Sequence, residues 1–331
     1  MPPRAVHRCF FKNSDLTENL NMNRATSQPA PIRLERELLK AMSQTAPARL
    51  LAQVALEWVC IVATICAAVH FSSIPAGIVC MLAIGTRQHA LLVLMHEFSH
   101  CQFSRKRKWL NDMIGDIFTA FPFFITVHGF RRDHMPHHRY VSTAQDPNWR
   151  SSMKKQRFQF PMKKRQFFLE VLKHAGGIYT WSELKGYTVD AGMSLDLPLA
   201  TRLCRIVFVI VLVGAASYFH LWQIVLLYWL FPLFTVLMGI LYIRDVAEHF
   251  GMPKPGMYSS RTVRARWLER LMLCQNGVNF HAEHHLFPSI PFFRLKQLHH
   301  HLMKDDTYRN QALVTEGYLS GLVYEITRTP H

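Results

Sequence analysis

The chain has 331 residues, 50% of them hydrophobic and only 18% charged, which excludes an ordinary soluble domain. Lys and Arg number 38 against 22 Asp and Glu, giving a net charge of +16 at pH 7. Such an excess points to nucleic acid, anionic lipid or the cytoplasmic flanks of membrane spans. The basic residues alternate with uncharged apolar runs, so a membrane is expected and nucleic acid is not. Seven cysteines are scattered without a CxxC pair, several of them (Cys60, Cys66, Cys80) inside apolar stretches. They read as small apolar fillers in a reducing compartment. Met1-Pro2-Pro3-Arg4 opens a stretch with no apolar core, so no cleaved signal peptide is expected.

Residues 1–48 are polar and read as a cytosolic segment, disordered at first. Within it, Ile32 to Lys40 has the spacing of an amphipathic helix, either lying on the membrane or packing on a cytosolic domain. Leu50–Phe71 and Ala76–Met95 are each about 20 apolar residues, enough to cross a bilayer core. Ser72-Ser73-Ile74-Pro75 turns between them. A second pair follows at Ile206–Phe219 and Leu221–Ile243, hinged at His220. Neither hairpin tip carries Lys or Arg, whereas Arg105 to Lys108, Arg131-Arg132, Lys163 to Arg165 and Arg261 to Arg270 crowd the other side. The positive-inside rule places that side, and both termini, in the cytoplasm, suggesting a bacterial inner membrane.

Asn111–Phe130 is apolar and aromatic but holds Asp112 and Asp116, so it reads as a helix dipping at the interface. Lys154–Phe168 interleaves basic residues with phenylalanines and reads as an anionic-lipid contact. Glu57 and Arg87 fall at similar depth in antiparallel helices. An unpaired charge there is costly, so they are expected to pair.

Three histidine clusters share the cytosolic side: His96 and His100 in HxxxH, His134, His137 and His138 in HxxHH, and His281, His284 and His285 in a second HxxHH. Residues three and four apart share a helix face, so each cluster can grip a metal from one side. Neighbouring histidines diverge by about 100° and so suit two different ions. Eight imidazoles are too many for one four-coordinate zinc. His96-Glu97-x-x-His100 also matches HExxH, the zinc-protease signature, but that reading leaves six histidines idle. A metal transporter needs ionisable residues near the bilayer centre, and the second hairpin has none.

The three boxes resemble those of the membrane fatty acid desaturases, which share the pattern with related membrane hydroxylases. Thr143 and Asp146-Pro147 after box two look like the family's tail. His285-Leu286-Phe287-Pro288-Ser289-Ile290-Pro291, then Leu295, Leu298-His299 and Leu302, is similar to its HHLFPxIP…LxxLHxxL, and the likeness covers roughly residues 45–305. Arg87-Gln88-His89-Ala90 looks closest to a bacterial branch that includes the desaturase of rhizobitoxine biosynthesis.

The resemblance implies two irons held by the eight boxed histidines, O2 as co-substrate, and desaturation of a fatty acyl or similar aliphatic chain. Hydroxylation of the carotenoid or alkyl type is the alternative. It also implies a ninth ligand near the end of the last span. His249 fits, with Asp245 one turn earlier, provided that the last helix continues past Ile243. Glu97, Asp116, Asp133, Asp245 and Glu283 are candidates to orient the ligands, and His89 is a further neighbour. No cytochrome b5 motif or ferredoxin cysteine cluster is present. The electron donor, of ferredoxin, rubredoxin or cytochrome b5 type, is therefore expected to be separate.

The expected architecture is an all-α integral membrane protein of about four transmembrane helices in two hairpins. A cytosolic helical cap holds the di-iron site. In chain order this gives the cytosolic segment 1–48, hairpin one at 49–96, boxes one and two at 97–205, hairpin two at 206–243 and box three at 244–331. His299-His300-His301 reads as a surface run.

Overall fold

A computed structural model describes residues 32–184, 197–252 and 259–328. The disorder expected at the start of the 1–48 segment falls on residues 1–31, which lie outside the described residues. The described chain is mostly helical, and four of its helices are long and apolar enough to cross a membrane.

Helix α1 (Arg36–Met42) is short, and its apolar side does not face outward. Met42 is buried against Ile290, Leu295, Leu298 and Tyr308, so the segment packs on protein. Arg294 Nη1 donates to the carbonyls of Ala41 and Met42 at 2.6 and 2.8 Å, closing the end of α1.

The long helices α2 (Pro47–Phe71) and α3 (Ile74–Ser99) form an antiparallel pair. Proline in the first turn of each lacks the N–H that a helix start would leave unpaired. Between them Ser72 takes a left-handed conformation at φ 44°. Glu57 and Arg87 do pair, Nη1 to Oε2 at 3.0 Å, with Gln53 Nε2 donating to the other carboxylate oxygen at 2.8 Å. Removing one partner strands a charge in apolar surroundings, at a cost of about 3 kcal/mol. Glu57→Gln and Arg87→Gln should each lower the yield of folded protein, while the double variant should be no worse than the worse single. Additive losses would show that the two side chains act independently.

After α3 the chain runs through α4 (Lys108–Gly115), a π turn at Asp116–Ala120 and a 3-10 turn at Phe121–Phe123. It then reverses at Phe124 (φ 62°) into α5 (Val127–Tyr140), a bend of 90°. Asp116 holds the bend by accepting the Val127 N–H at 2.7 Å, and Thr126 caps α5 by accepting from Gly129 N. The dip expected from Asp112 and Asp116 is therefore a folded-back pair of helices.

Helices α6 (Pro147–Ser152), α7 (Lys164–Ala175) and α8 (Thr180–Leu184) follow. Here the structure corrects the reading of Lys154–Phe168 as a lipid contact. Phe158 and Phe167 are buried and Phe160 and Phe168 pack against the same core, around Tyr242, Val246 and Phe250. Lys155 and Arg157 pair with Glu183. The alternation is that of segments with one buried side.

The second long pair is α9 (Leu199–Tyr218) and the run α10 (Trp222–His249). A π turn at Leu226–Leu230 and a break at Thr235 (φ −129°, ψ −84°) divide α10. Close to that break Gly85 lies against Val236. A Cβ at Gly85 would sit 2.5 Å from the Val236 Cγ1, so α3 and α10 approach through a missing side chain.

The C-terminal part holds β1 (Arg261–Val263), α11 (Trp267–Leu273), α12 (His281–Leu286), α13 (Phe292–Leu302), α14 (Asp306–Gln311) and β2 (Leu313–Thr315). β1 and β2 form a parallel pair with Thr262 opposite Val314. Cys60, Cys66, Cys80, Cys204 and Cys274 are free thiols.

Candidate metal centre

Four helices deliver the eight boxed histidines and His249. α3 carries His96 in its last turn with His100 as its C-cap residue, α5 carries His134, His137 and His138, α10 ends on His249, and α12 carries His281, His284 and His285. Their ring nitrogens fall into two groups, within each of which all ligand atoms lie within 4.8 Å of one another. One group is His96, His100, His134, His138 and His284. The other is His137, His249, His281 and His285. Each adjacent pair, His137 with His138 and His284 with His285, is split between the groups, as the angle between successive helical residues requires. His89 belongs to neither group. Its Nδ1 meets Gln275 Oε1 at 2.8 Å and its Nε2 meets Arg244 Nη1 at 3.0 Å.

The donor set fits metal better than it fits hydrogen bonding among imidazoles. His134 Nε2 lies 3.1 Å from His100 Nε2 and 3.0 Å from His138 Nε2, which in turn lies 3.0 Å from His284 Nε2. In the other group His249 Nε2 lies 3.2 Å from His137 Nε2 and 2.8 Å from His281 Nε2. His285 Nε2 lies 3.0 Å from His281 Nε2. Nitrogens about 2.1 Å from a shared ion and at right angles to each other stand about 3.0 Å apart. Among the described residues, His96 Nε2 is buried with no hydrogen-bond partner.

On the outer side two of the rings meet acceptors, whereas the Nδ1 atoms of His100, His138 and His285 are buried without a partner among the described residues. His137 Nδ1 donates to Asp146 Oδ2 at 2.9 Å, and His249 Nδ1 donates to the Ser259 carbonyl at 3.1 Å. These bonds fix the tautomer that leaves Nε2 with its lone pair. Asp146 is also the N-cap of α6, accepting from Asn148 N at 2.9 Å, and takes the Ser142 N–H at 3.0 Å. Burial raises its carboxyl, but the His137 hydrogen bond, the His137 charge and the backbone donors outweigh burial and hold it below the usual range. Asp146→Asn should therefore lower metal retention and turnover by about 10- to 100-fold without unfolding the chain. Unchanged metal content in that variant would rule out an orienting role.

The acids named from sequence proximity are placed differently. Glu97 accepts the Phe292 N–H at 3.0 Å and lies 3.7 Å from His96 Nδ1. Asp133 is half-buried and pairs with its neighbour Arg132 at 3.4 Å. Asp245 lines a cavity one turn before His249 but is in neither group. Glu283 is fully buried and accepts from Tyr308 Oη at 2.6 Å, and also from His299 Nδ1 and Thr262 Oγ1. His299, read from sequence as a surface residue, is thus an internal one, while His300 and His301 are exposed. Two contacts escaped sequence reading: Asp146 on His137, and Glu248, whose Oε2 lies 3.7 Å from His281 Nε2. The Asp-Pro pair was a cap signal in plain view, whereas Glu248 faces the site only through the length of α10.

Burial, reinforced by the charges of neighbouring histidines and Arg244, holds His281 well below its usual range. Burial and the charges of His137 and Arg244 push His284 down to about 3. In an unfolded chain these rings protonate as pH falls through about 6.5, whereas His284 in the fold stays neutral to about 3. Between those values the unfolded state binds more protons, so stability falls as pH falls. The thermal midpoint of metal-free protein should drop between about pH 6.5 and about pH 4. A midpoint flat across that window would contradict the burial of neutral imidazoles.

Beside both groups lies a cavity of about 630 Å³. Leu92, Met95, Phe123, Leu233, Leu237 and Met238 supply apolar walls, and His96, His134 and His249 face it.

Fold and site together define a helical membrane protein with a buried histidine centre suited to metal. A sequence profile described as fatty acid desaturase matches residues 72–317, so the chain belongs to the fatty acid desaturase family. It is an oxidoreductase of the fatty acid desaturase type. The dihydrorhizobitoxine desaturase of Bradyrhizobium elkanii is 27% identical over 305 residues, 87% of this chain and 85% of that protein. An sn-1 acyl-lipid omega-3 desaturase (ferredoxin) of Nostoc sp. (strain 36) is 23% identical, covering 64% of this chain and 63% of that one. An sn-1 oleoyl-lipid 12-desaturase of Anabaena variabilis is 22% identical, covering 64% of each.

Proposed function

We propose that the chain is an O2-dependent membrane desaturase that introduces a double bond into a fatty acyl or similar aliphatic chain. The observation that carries this reading is the pair of histidine groups bordering an apolar cavity. His96, His100, His134, His138 and His284 would hold one iron, and His137, His249, His281 and His285 a second. Imidazole suits iron, and iron supplies the O2 chemistry that no side chain can perform. In the balanced reaction the substrate gives up two hydrogens and a carbon–carbon double bond forms. O2 becomes two waters with two electrons from a donor and two protons.

The protein's own part is orientation and exclusion of water. Asp146 and the Ser259 carbonyl hold the His137 and His249 rings with Nε2 inward. The apolar walls seat the chain beside those rings and keep bulk water from them. The donor is a separate carrier of ferredoxin, rubredoxin or cytochrome b5 type, a reading supported by the ferredoxin in the name of the Nostoc relative.

The same reading sets the chain in a membrane, a bacterial inner membrane, as two hairpins, 49–96 and 206–243. The regions 1–48, 97–205 and 244–331 form the cytosolic part, and both termini share the side of the histidines. Impermeant thiol reagents should reach cysteines placed at 72–74 only from outside.

The reaction class is tested by profiling lipids and metabolites of cells with and without the gene, then repeating the conversion with purified protein and a reducing carrier. A product lighter by two hydrogens is expected. One heavier by a single oxygen would identify a hydroxylase instead.

A further inference from the structure

We infer that α11 forms a second membrane contact, separate from the long helices, seated in the cytosolic leaflet on anionic lipid. Its orientation rests on the topology given under Proposed function.

Helix α11 turns Glu269 inward and leaves its other side bare. Trp267 is 77% exposed, Leu271 60% and Leu268 49%, with Met272 exposed beside them. Glu269 Oε1 accepts the N–H groups of Tyr318 and Leu319, both at 2.9 Å, which brings Leu319, 67% exposed, next to the same helix. A water-facing surface rarely gathers so many large apolar side chains on one short helix.

The turn after α11 sets the depth of that helix. Gln275 Oε1 meets His89 Nδ1 at 2.8 Å, and Asn276 Nδ2 donates to the Ala90 carbonyl at 3.3 Å. Ala90 lies sixteen residues along α3 from Ile74, roughly 24 Å at 1.5 Å per residue. The hydrocarbon core is about 30 Å thick. The end of α11 therefore stands level with the cytosolic part of that core, and an exposed apolar side at that level meets lipid.

The charges agree. Arg266 and Arg270 are exposed on the helix, and neither has a carboxylate within ion-pair distance among the described residues, whereas Arg264 pairs with Glu316 at 2.8 Å. Long basic side chains beside an apolar face reach lipid phosphates, and tryptophan suits the headgroup level. From α11 the chain leads directly through Gln275 and Asn276 into α12, so this contact fixes the approach to His281, His284 and His285.

The test uses the full chain in nanodiscs of an equal mixture of phosphatidylcholine and phosphatidylglycerol. An aryl diazirine dissolved in the lipid is photolysed and its adducts are mapped by mass spectrometry. Trp267, Leu268 and Leu271 should be labelled as strongly as Val211 of α9, which is 63% exposed, and α14 should remain unlabelled. Labelling of Val211 without α11 overturns the inference and leaves the topology standing. If a water-soluble diazirine then marks α11, that face is in water. If it does not, the face is covered by protein, a second copy included. No labelling at Val211 overturns the topology and this inference with it. The variant R266Q/R270Q should label α11 about fivefold less in the mixed lipid, with no change in phosphatidylcholine alone. Equal losses in both lipids would overturn the anionic preference.

Discussion

His249→Ala should abolish product formation while leaving expression and membrane insertion nearly intact. The side chain closes α10, and its Nε2 stands 2.8 Å from His281 Nε2 and 3.2 Å from His137 Nε2. Removing it leaves three imidazoles where four converge; Asp245 and His89 are in neither group, and Glu248, 3.7 Å from His281 Nε2, is already paired with Arg244. Loss of an orienting neighbour already costs about 10- to 100-fold in metal affinity or activity, so loss of the ring itself should exceed about a hundredfold. The cost to folding should be small, because the ring's hydrogen bond with protein is to a single carbonyl, that of Ser259. His300→Ala, on the exposed side of α13, should remain near wild type. Full turnover with a full metal complement in His249→Ala would remove this residue from the site.

Glu283→Ala should be the most damaging change outside the histidines. The carboxylate is 0% exposed and receives donors from Thr262 on β1, His299 on α13 and Tyr308 on α14. It sits between His281 and His284, so these three bonds fix α12 against the small sheet and two helices. Truncation leaves three buried donors unmatched, at about 1–3 kcal/mol each. The expected result is a loss of folded protein and of metal together. Tyr308→Phe removes one donor only and should keep both, at a cost of about 1 kcal/mol. If Glu283→Ala retained its metal and its thermal midpoint, α12 would be held by other means.

Much of this was legible in the sequence because two periodicities are strong. Apolar runs of spanning length mark the four long helices, and the spacing of the boxes places each set on one helix face. The ninth histidine needed the family resemblance, and also the absence of Pro or Gly between Arg244 and His249. What could not be read depends on long-range packing. Sequence proximity made Glu97, Asp133 and Glu283 candidates to orient the histidines, yet Asp146 is the acid that bonds to one of the grouped rings. A carboxylate beside a ligand in sequence diverges from it on a helix, so the acid that reaches the ring comes from another turn or element. For the same reason His299 looked exposed: its triplet gives no clue that one ring in three turns inward. Lys154–Phe168 misled through composition, since phenylalanine beside lysine fits lipid contact and amphipathic packing equally well.

Elemental analysis of protein purified from iron-replete cells tests the central claim most directly. About two iron ions per chain are expected, with His137→Ala and His284→Ala, one from each group, each losing metal and turnover together. A single tightly bound zinc that depends on His96 and His100 and survives both substitutions would contradict it.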